Sequence, residues 1–184
     1  KLNNATVSVF LICKNGLAIN FKEAFQNSGI DKVYVSENNR FTHYSTELFS
    51  IAALKIINSV KPDMILYGAT TQGRDLAPRL AAKLHTGLTA DCIDLNINEK
   101  GMLAATRPTF GGKLMATILC KTTPQMATVR PKVFKPMAEN IVKNVEYIYI
   151  NPEIEDVQRK VEFVDFAKNV QSEINSLDSA CLLY

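Results

Sequence analysis

The stretch Met64-Ile65-Leu66-Tyr67-Gly68-Ala69-Thr70-Thr71-Gln72-Gly73-Arg74-Asp75 sets the architecture. A short apolar run closes on Gly68, a polar loop bounded by two glycines follows, and helical periodicity begins near Asp75 and runs to Leu84. Strand, loop and helix in that order make half of a βα unit, the building block of a parallel sheet. The same order suits a phosphate cradle, because the N–H groups of a helix N-terminus point at an anion. The residues argue against one. Arg74 stands where a P-loop needs Lys, and Asp75 stands where it needs the Mg²⁺-binding hydroxyl and would repel a phosphate. The plainer reading is a tight strand-to-helix turn, with Arg74 and Asp75 paired or exposed.

Working outward, Thr6 to Cys13 and Lys32 to Val35 read as strands, with a short helix from Phe21 to Asn27 between them. That helix places Phe21, Ala24 and Phe25 on one face and stops at Gly29. From Ser45 to Val60, Leu48, Phe49, Ala52, Ile56 and Val60 recur at helical spacing, and Pro62 ends the run. In the helix from Asp75 to Leu84, Pro78 falls near the first turn and Gly87 follows as the C-terminal glycine. Strands then dominate: Cys92 to Ile97, Leu103 to Arg107, Leu114 to Cys120, Met126 to Arg130 and Val145 to Ile150. The expected fold class is α/β, an open and mostly parallel sheet with antiparallel hairpins added to its edge. The tail from Glu153 to Asp178 reads as a strand and a connecting helix, and Ala180 to Tyr184 as the first strand of something further.

Bulk properties exclude several functions. The net charge of +3 is spread without runs, which argues against a nucleic-acid surface. Cys13, Cys92, Cys120 and Cys181 form no CxxC, and His43 and His85 are the two histidines, so no zinc spacing exists. Reduced, mostly buried thiols are expected. No apolar run reaches a membrane span, and the start carries no signal peptide. No GxSxG, HExxH or Ser/His/Asp set is present. His85 reads as a helix-end capping or surface residue, and His43 as a loop residue.

Two corners remain. Arg107-Pro108-Thr109-Phe110-Gly111-Gly112-Lys113 ends a strand with an arginine, and its glycines let backbone approach a ligand closely. Gln125-Met126-Ala127-Thr128-Val129-Arg130-Pro131 repeats the arginine-before-proline ending. If the two converge on one sheet edge, their guanidiniums suit an anionic or flavin-like group. Pairing with carboxylates at a subunit interface weighs equally.

Gly68 to Leu84, Thr86 to Cys92, Thr106 to Lys113, Gln125 to Pro131 and Ser28 to Tyr34 together closely resemble the alpha subunit of electron-transfer flavoproteins, in order and over nearly the whole chain. The resemblance implies an adenine-nucleotide α-hydrolase-like domain over residues 1–175, with residues 176–184 as the first strand of a C-terminal FAD-binding domain. It also implies a further strand and helix before Leu2. It implies electron transfer with a beta subunit as partner, FAD mainly in the C-terminal domain, and a second FAD or AMP in the beta subunit. Donors of the acyl-CoA dehydrogenase type and a bacterial cytoplasmic setting follow from it too, without catalysis by this chain itself. The Arg-Pro-x-Phe-Gly-Gly and Gln-Met-Ala-Thr-Val-Arg-Pro forms resemble the electron-bifurcating versions, which implies Arg107, then Arg130, as flavin contacts. Phe110, Gly111, Gln125 and Thr128 belong to the same implied cofactor-binding set. Lys113 departs from the Asn that most bifurcating relatives carry. The alternative is a stand-alone nucleotide-binding module of the universal-stress or ATP-pyrophosphatase type, but its Ser-Gly-Gly-x-Asp-Ser loop is absent.

Overall fold

The computed structural model describes residues 5–135, 143–154, 157 and 161–165. In chain order they form β1 (Ser8–Cys13), α1 (Lys22–Gln26), β2 (Lys32–Glu37), α2 (Thr46–Val60), β3 (Met64–Gly68) and α3 (Thr71–Lys83). There follow β4 (Leu88–Cys92), β5 (Asp94–Ile97), β6 (Leu103–Thr109), β7 (Leu114–Leu119), β8 (Gln125–Val129) and β9 (Glu146–Tyr149). The strands group in threes. β1-β2-β9 and β3-β8-β4 are parallel, and β5-β6-β7 is antiparallel.

The α/β class holds, and the antiparallel part is smaller than the residue pattern suggests. β8 and β9 follow the hairpins in sequence but join parallel sheets. β8 is the central strand of its sheet, and Met126, Ala127 and Thr128 are buried on it. A strand covered on both faces loses its alternating pattern, so its short apolar run carries no sign of direction. The stretch expected as one strand from Cys92 to Ile97 is broken at Ile93. Asp91 has φ +62°, and the register of β4 on β8 shifts between Thr89 and Cys92. Across this bulge the chain passes from one sheet to the other, and the Ile93 N–H donates to Thr106 O on β6 at 2.9 Å.

α2 packs where its periodicity predicts. Leu48, Ala52 and Ile56 are buried, joined by Ala53 and Ile57, and Ser45 is the N-cap. Leu48, Ile56 and Ile57 each contribute about 1.5–3 kcal/mol by leaving water. Lys61, at φ +49°, ends the helix ahead of Pro62. Ala53, Ile57, Ile65, Leu80, Ala81 and Met126 form one core cluster between α2, α3 and the β3-β8-β4 sheet. The expected helix around Phe21 is instead a 3₁₀ turn (Ala18–Phe21) running into α1. Phe25 is half-buried, while Phe21 is exposed and stacks on it.

α3 departs from expectation at both ends. It starts at Thr71, a turn early, because Thr70 caps it: Thr70 Oγ1 accepts the Gly73 N–H at 3.2 Å. Pro78 therefore lies inside the helix. At the C-terminus His85, not Gly87, takes the left-handed position, at φ +52°. The Thr86 N–H reaches Ala81 O at 3.0 Å and the His85 N–H reaches Ala82 O at 3.3 Å, which is a Schellman closure. His85 is thus the capping residue expected of it. Gly87 is small for another reason, since a Cβ there would lie 3.0 Å from Cys120 Sγ.

In the tail, Ile154 is buried against Leu48 and Ala52, and the Arg40 guanidinium donates to the carbonyls of Ile154 and Val157. Phe163 stacks on His43 at 3.8 Å between ring centroids. The expected helix up to Asp178 and the strand in residues 176–184 lie outside the described residues.

Candidate functional site

The end of β6 and the turn that follows build a pocket. Pro108 sits opposite Met115 of β7, beyond the last residue of β6 that pairs with β5, so its missing N–H costs no ladder bond. Phe110, Gly111 and Gly112 then take φ values of +49°, +65° and +86°. Two of these positions suit glycine. Phe110 bears the strain of a left-handed residue with a side chain, and that side chain is 79% exposed. The stretch from Arg107 to Gly112, with Arg130 from the end of β8, encloses about 440 Å³. The two arginine–proline corners therefore converge.

Their electrostatics differ. Arg130 holds Asp91 with two donors, Nη2 to Oδ2 at 2.5 Å and Nε to Oδ1 at 3.3 Å. Arg74 approaches the same carboxylate, Nη2 to Oδ1 at 3.0 Å, and also donates from Nε to Ala69 O. The Arg130 hydrogen bond holds the Asp91 carboxyl below its ordinary value, outweighing desolvation, and the charges of Arg130, Arg74 and Arg107 add to the effect. Arg107 Nε is buried and meets no hydrogen-bond partner among the described residues. A guanidinium N–H withdrawn from water and left unpaired is costly.

Phe110 and Gly111 lie in the pocket wall beside Arg107. Gln125 and Thr128 lie elsewhere. Gln125 Oε1 accepts the Leu103 N–H at 2.5 Å, at the opposite end of β8 from Arg130. Thr128 is 1% exposed, and its Oγ1 accepts the Asp91 N–H at 2.8 Å. Asp91 and Arg74 complete the cluster and were not singled out as ligand-facing from sequence. The available signal was a carboxylate inside an otherwise apolar strand, where Asp is disfavoured.

The loop considered as a phosphate cradle is closed by the protein itself. Thr70 takes the Gly73 N–H, and Asp75 accepts hydrogen bonds from Thr46 Oγ1 and, at 2.7 Å, from the Tyr44 hydroxyl. Those two bonds hold the Asp75 carboxyl below its ordinary value, and a charged carboxylate in a helix's first turns disfavours phosphate. Arg74 and Asp75 are both paired, as the plainer reading has it. Among the described residues no His, Cys, Asp or Glu group could hold a metal, and no helix is long and apolar enough to cross a membrane.

The family model described as the electron transfer flavoprotein domain matches residues 1–159. The chain belongs to the electron transfer flavoprotein domain family. Within that family it is 44% identical over 148 residues to the electron transfer flavoprotein subunit alpha of Thermoanaerobacterium thermosaccharolyticum, covering 80% of this chain and 45% of that protein. It is 53% identical over 106 residues to the protein FixB of Rhizobium meliloti, covering 57% and 30% respectively. It is also 32% identical over 181 residues to the acryloyl-CoA reductase electron transfer subunit beta of Anaerotignum propionicum, covering 84% and 49%. The chain spans less than half the length of these electron transfer flavoprotein relatives.

Proposed function

We propose that this chain is the first domain of an electron-carrying alpha subunit and that it presents Arg107 to a flavin held mainly by a partner beta subunit. The convergence of Arg107 and Arg130 on one open pocket beside the exposed Phe110 carries this reading. A pocket of about 440 Å³, open on one side and walled by a turn, suits the edge of a planar ring system. It does not suit a whole dinucleotide, so the rest of the cofactor belongs to other protein. When bound, a flavin supplies reversible uptake and release of electrons.

Arg107 would donate a hydrogen bond to the ring edge and favour negative charge there. The Phe110 ring and the side-chain-free Gly111 and Gly112 would let the ring approach closely. Leu114 and Met115 of β7, each 58% exposed, with Ile118 and Leu119, leave both faces of this edge strand apolar, a surface that a beta subunit would cover. The relative from A. propionicum, named as an electron transfer subunit of acryloyl-CoA reductase, favours acyl-CoA-type flavoenzymes as redox partners. Bifurcation, FAD as the particular flavin and a cytoplasmic setting are parts of the same proposal.

The test is to purify the full-length subunit with its beta partner, release the bound ligands and identify them by absorbance and mass. A second flavin besides that of the C-terminal domain, lost or shifted in potential by Arg107→Gln, supports the reading. AMP without that flavin, and no effect of Arg107→Gln, overturns the flavin-facing role.

A further inference from the structure

Asp91 is placed by a device that ordinary strand pairing would not need. The bulge in β4 removes its N–H from the ladder, and the buried hydroxyl of Thr128 takes up that donor at 2.8 Å. The Arg130 N–H donates to Cys92 O at 2.9 Å, which ties the end of β8 to the same bulge. With φ at +62° the carboxylate turns to meet Arg130 with both oxygens and Arg74 with one. The pocket neighbourhood thus holds three guanidiniums against one carboxylate, and that carboxylate is spent on two of them.

We propose that Asp91 is a positioning residue: from its bulge it pairs with Arg74 and Arg130, leaving Arg107 as the guanidinium with no ion-pair contact, among the described residues, that faces the bound group. The inference rests on the flavin-facing reading of the pocket. A pair of Arg–Asp contacts that only clamps β4 to β8 would affect stability alone. A positioning carboxylate also sets the charge felt in the pocket, and the two roles separate by sign. Removing the Asp91 charge leaves two guanidiniums unpaired and makes the pocket more positive, so negative charge on a bound ring is favoured. Removing Arg107 does the reverse.

The experiment uses the full-length subunit in complex with its beta partner, with flavin midpoint potentials read by spectroelectrochemistry. Asp91→Asn should shift the pocket flavin's potential positive, and Arg107→Gln should shift it negative. Asp91→Glu, which keeps the charge, should stay near wild type, and Asp91→Asn combined with Arg130→Gln should return toward it. An unchanged potential in Asp91→Asn alongside a shifted one in Arg107→Gln overturns the proposal and leaves a structural clamp. No shift in either variant removes the flavin-facing reading itself, and the proposal with it. Should Asp91→Asn fail to fold, Arg74→Gln decides the point, because Arg74 pairs with Asp91 and lies outside the pocket wall. A negative shift of the pocket flavin's potential supports the proposal, and an unchanged potential overturns it.

Discussion

Gly73 packs so closely on Gly68 that a Cβ at residue 73 would lie 1.9 Å from the Gly68 carbonyl oxygen. The obstacle is backbone and not the far end of a flexible side chain, so the first turn of α3 would have to shift. Gly73→Ala is expected to cost about 1–3 kcal/mol in chemical denaturation. Gly87→Ala, facing a side-chain sulfur at 3.0 Å, should cost less.

The start of α3 also rests on one hydroxyl. Thr70→Ala removes the acceptor of the Gly73 N–H and should lower stability by about 0.5–2 kcal/mol. Thr70→Ser keeps the oxygen and should recover most of it. Equal losses in the two variants would show that the cap is not the source.

The thiols should differ in reactivity. Burial, with the charge and hydrogen bond of Glu37, pushes Cys13 up to about 11. Cys120 is penalised by burial too, but its hydrogen bonding with Thr122, Thr86 and Gly87 outweighs it and holds the thiol below the ordinary value. Alkylation at pH 8 followed by peptide mass spectrometry should label Cys120 before Cys13. Glu37→Gln should speed labelling of Cys13.

Acid should weaken the fold in a defined window. Asp75 and Asp91 both have folded-state values below the ordinary 3.8, the first through hydrogen bonds from Thr46 and Tyr44 and the second through Arg130. The folded state therefore binds fewer protons than the unfolded chain. The stability this contributes is complete above the unfolded value and is lost as pH falls through the lowered ones. Denaturation midpoints measured from pH 6 down to about pH 2 should fall less steeply in Asp91→Asn than in wild type.

At the pocket, Phe110→Gly should separate two properties. Relieving a left-handed φ of +49° should raise stability by up to about 1–3 kcal/mol. Loss of the ring should weaken assembly with the beta partner, read as a faster dissociation rate.

Local chemistry was what the sequence could report. α2 announces itself through Leu48, Ala52 and Ile56, and two identical Arg-Pro endings raise the convergence of Arg107 with Arg130 as a possibility that only the structure decides. The start of α3 was misplaced because Gln72 and Gly73 look like loop, and only the contact of Gly73 with Gly68 shows why glycine belongs in the helix. Asp91 escaped notice because its role depends on Thr128 and Arg130, residues far along the chain. The direction of β8 escaped for the same reason, since nothing within Gln125–Val129 states which strands lie beside it.

β8 lies between β3 and β4, and those two strands do not pair with each other. Their sheet therefore cannot close until residue 129 has left the ribosome, some sixty residues after β3 has emerged, at about 5–20 residues per second. β5, β6 and β7 can assemble during that wait, because their pairings are between near neighbours. The excursion that carries Arg107 to the pocket can thus form before the strand leading to Arg130 completes the sheet beside it.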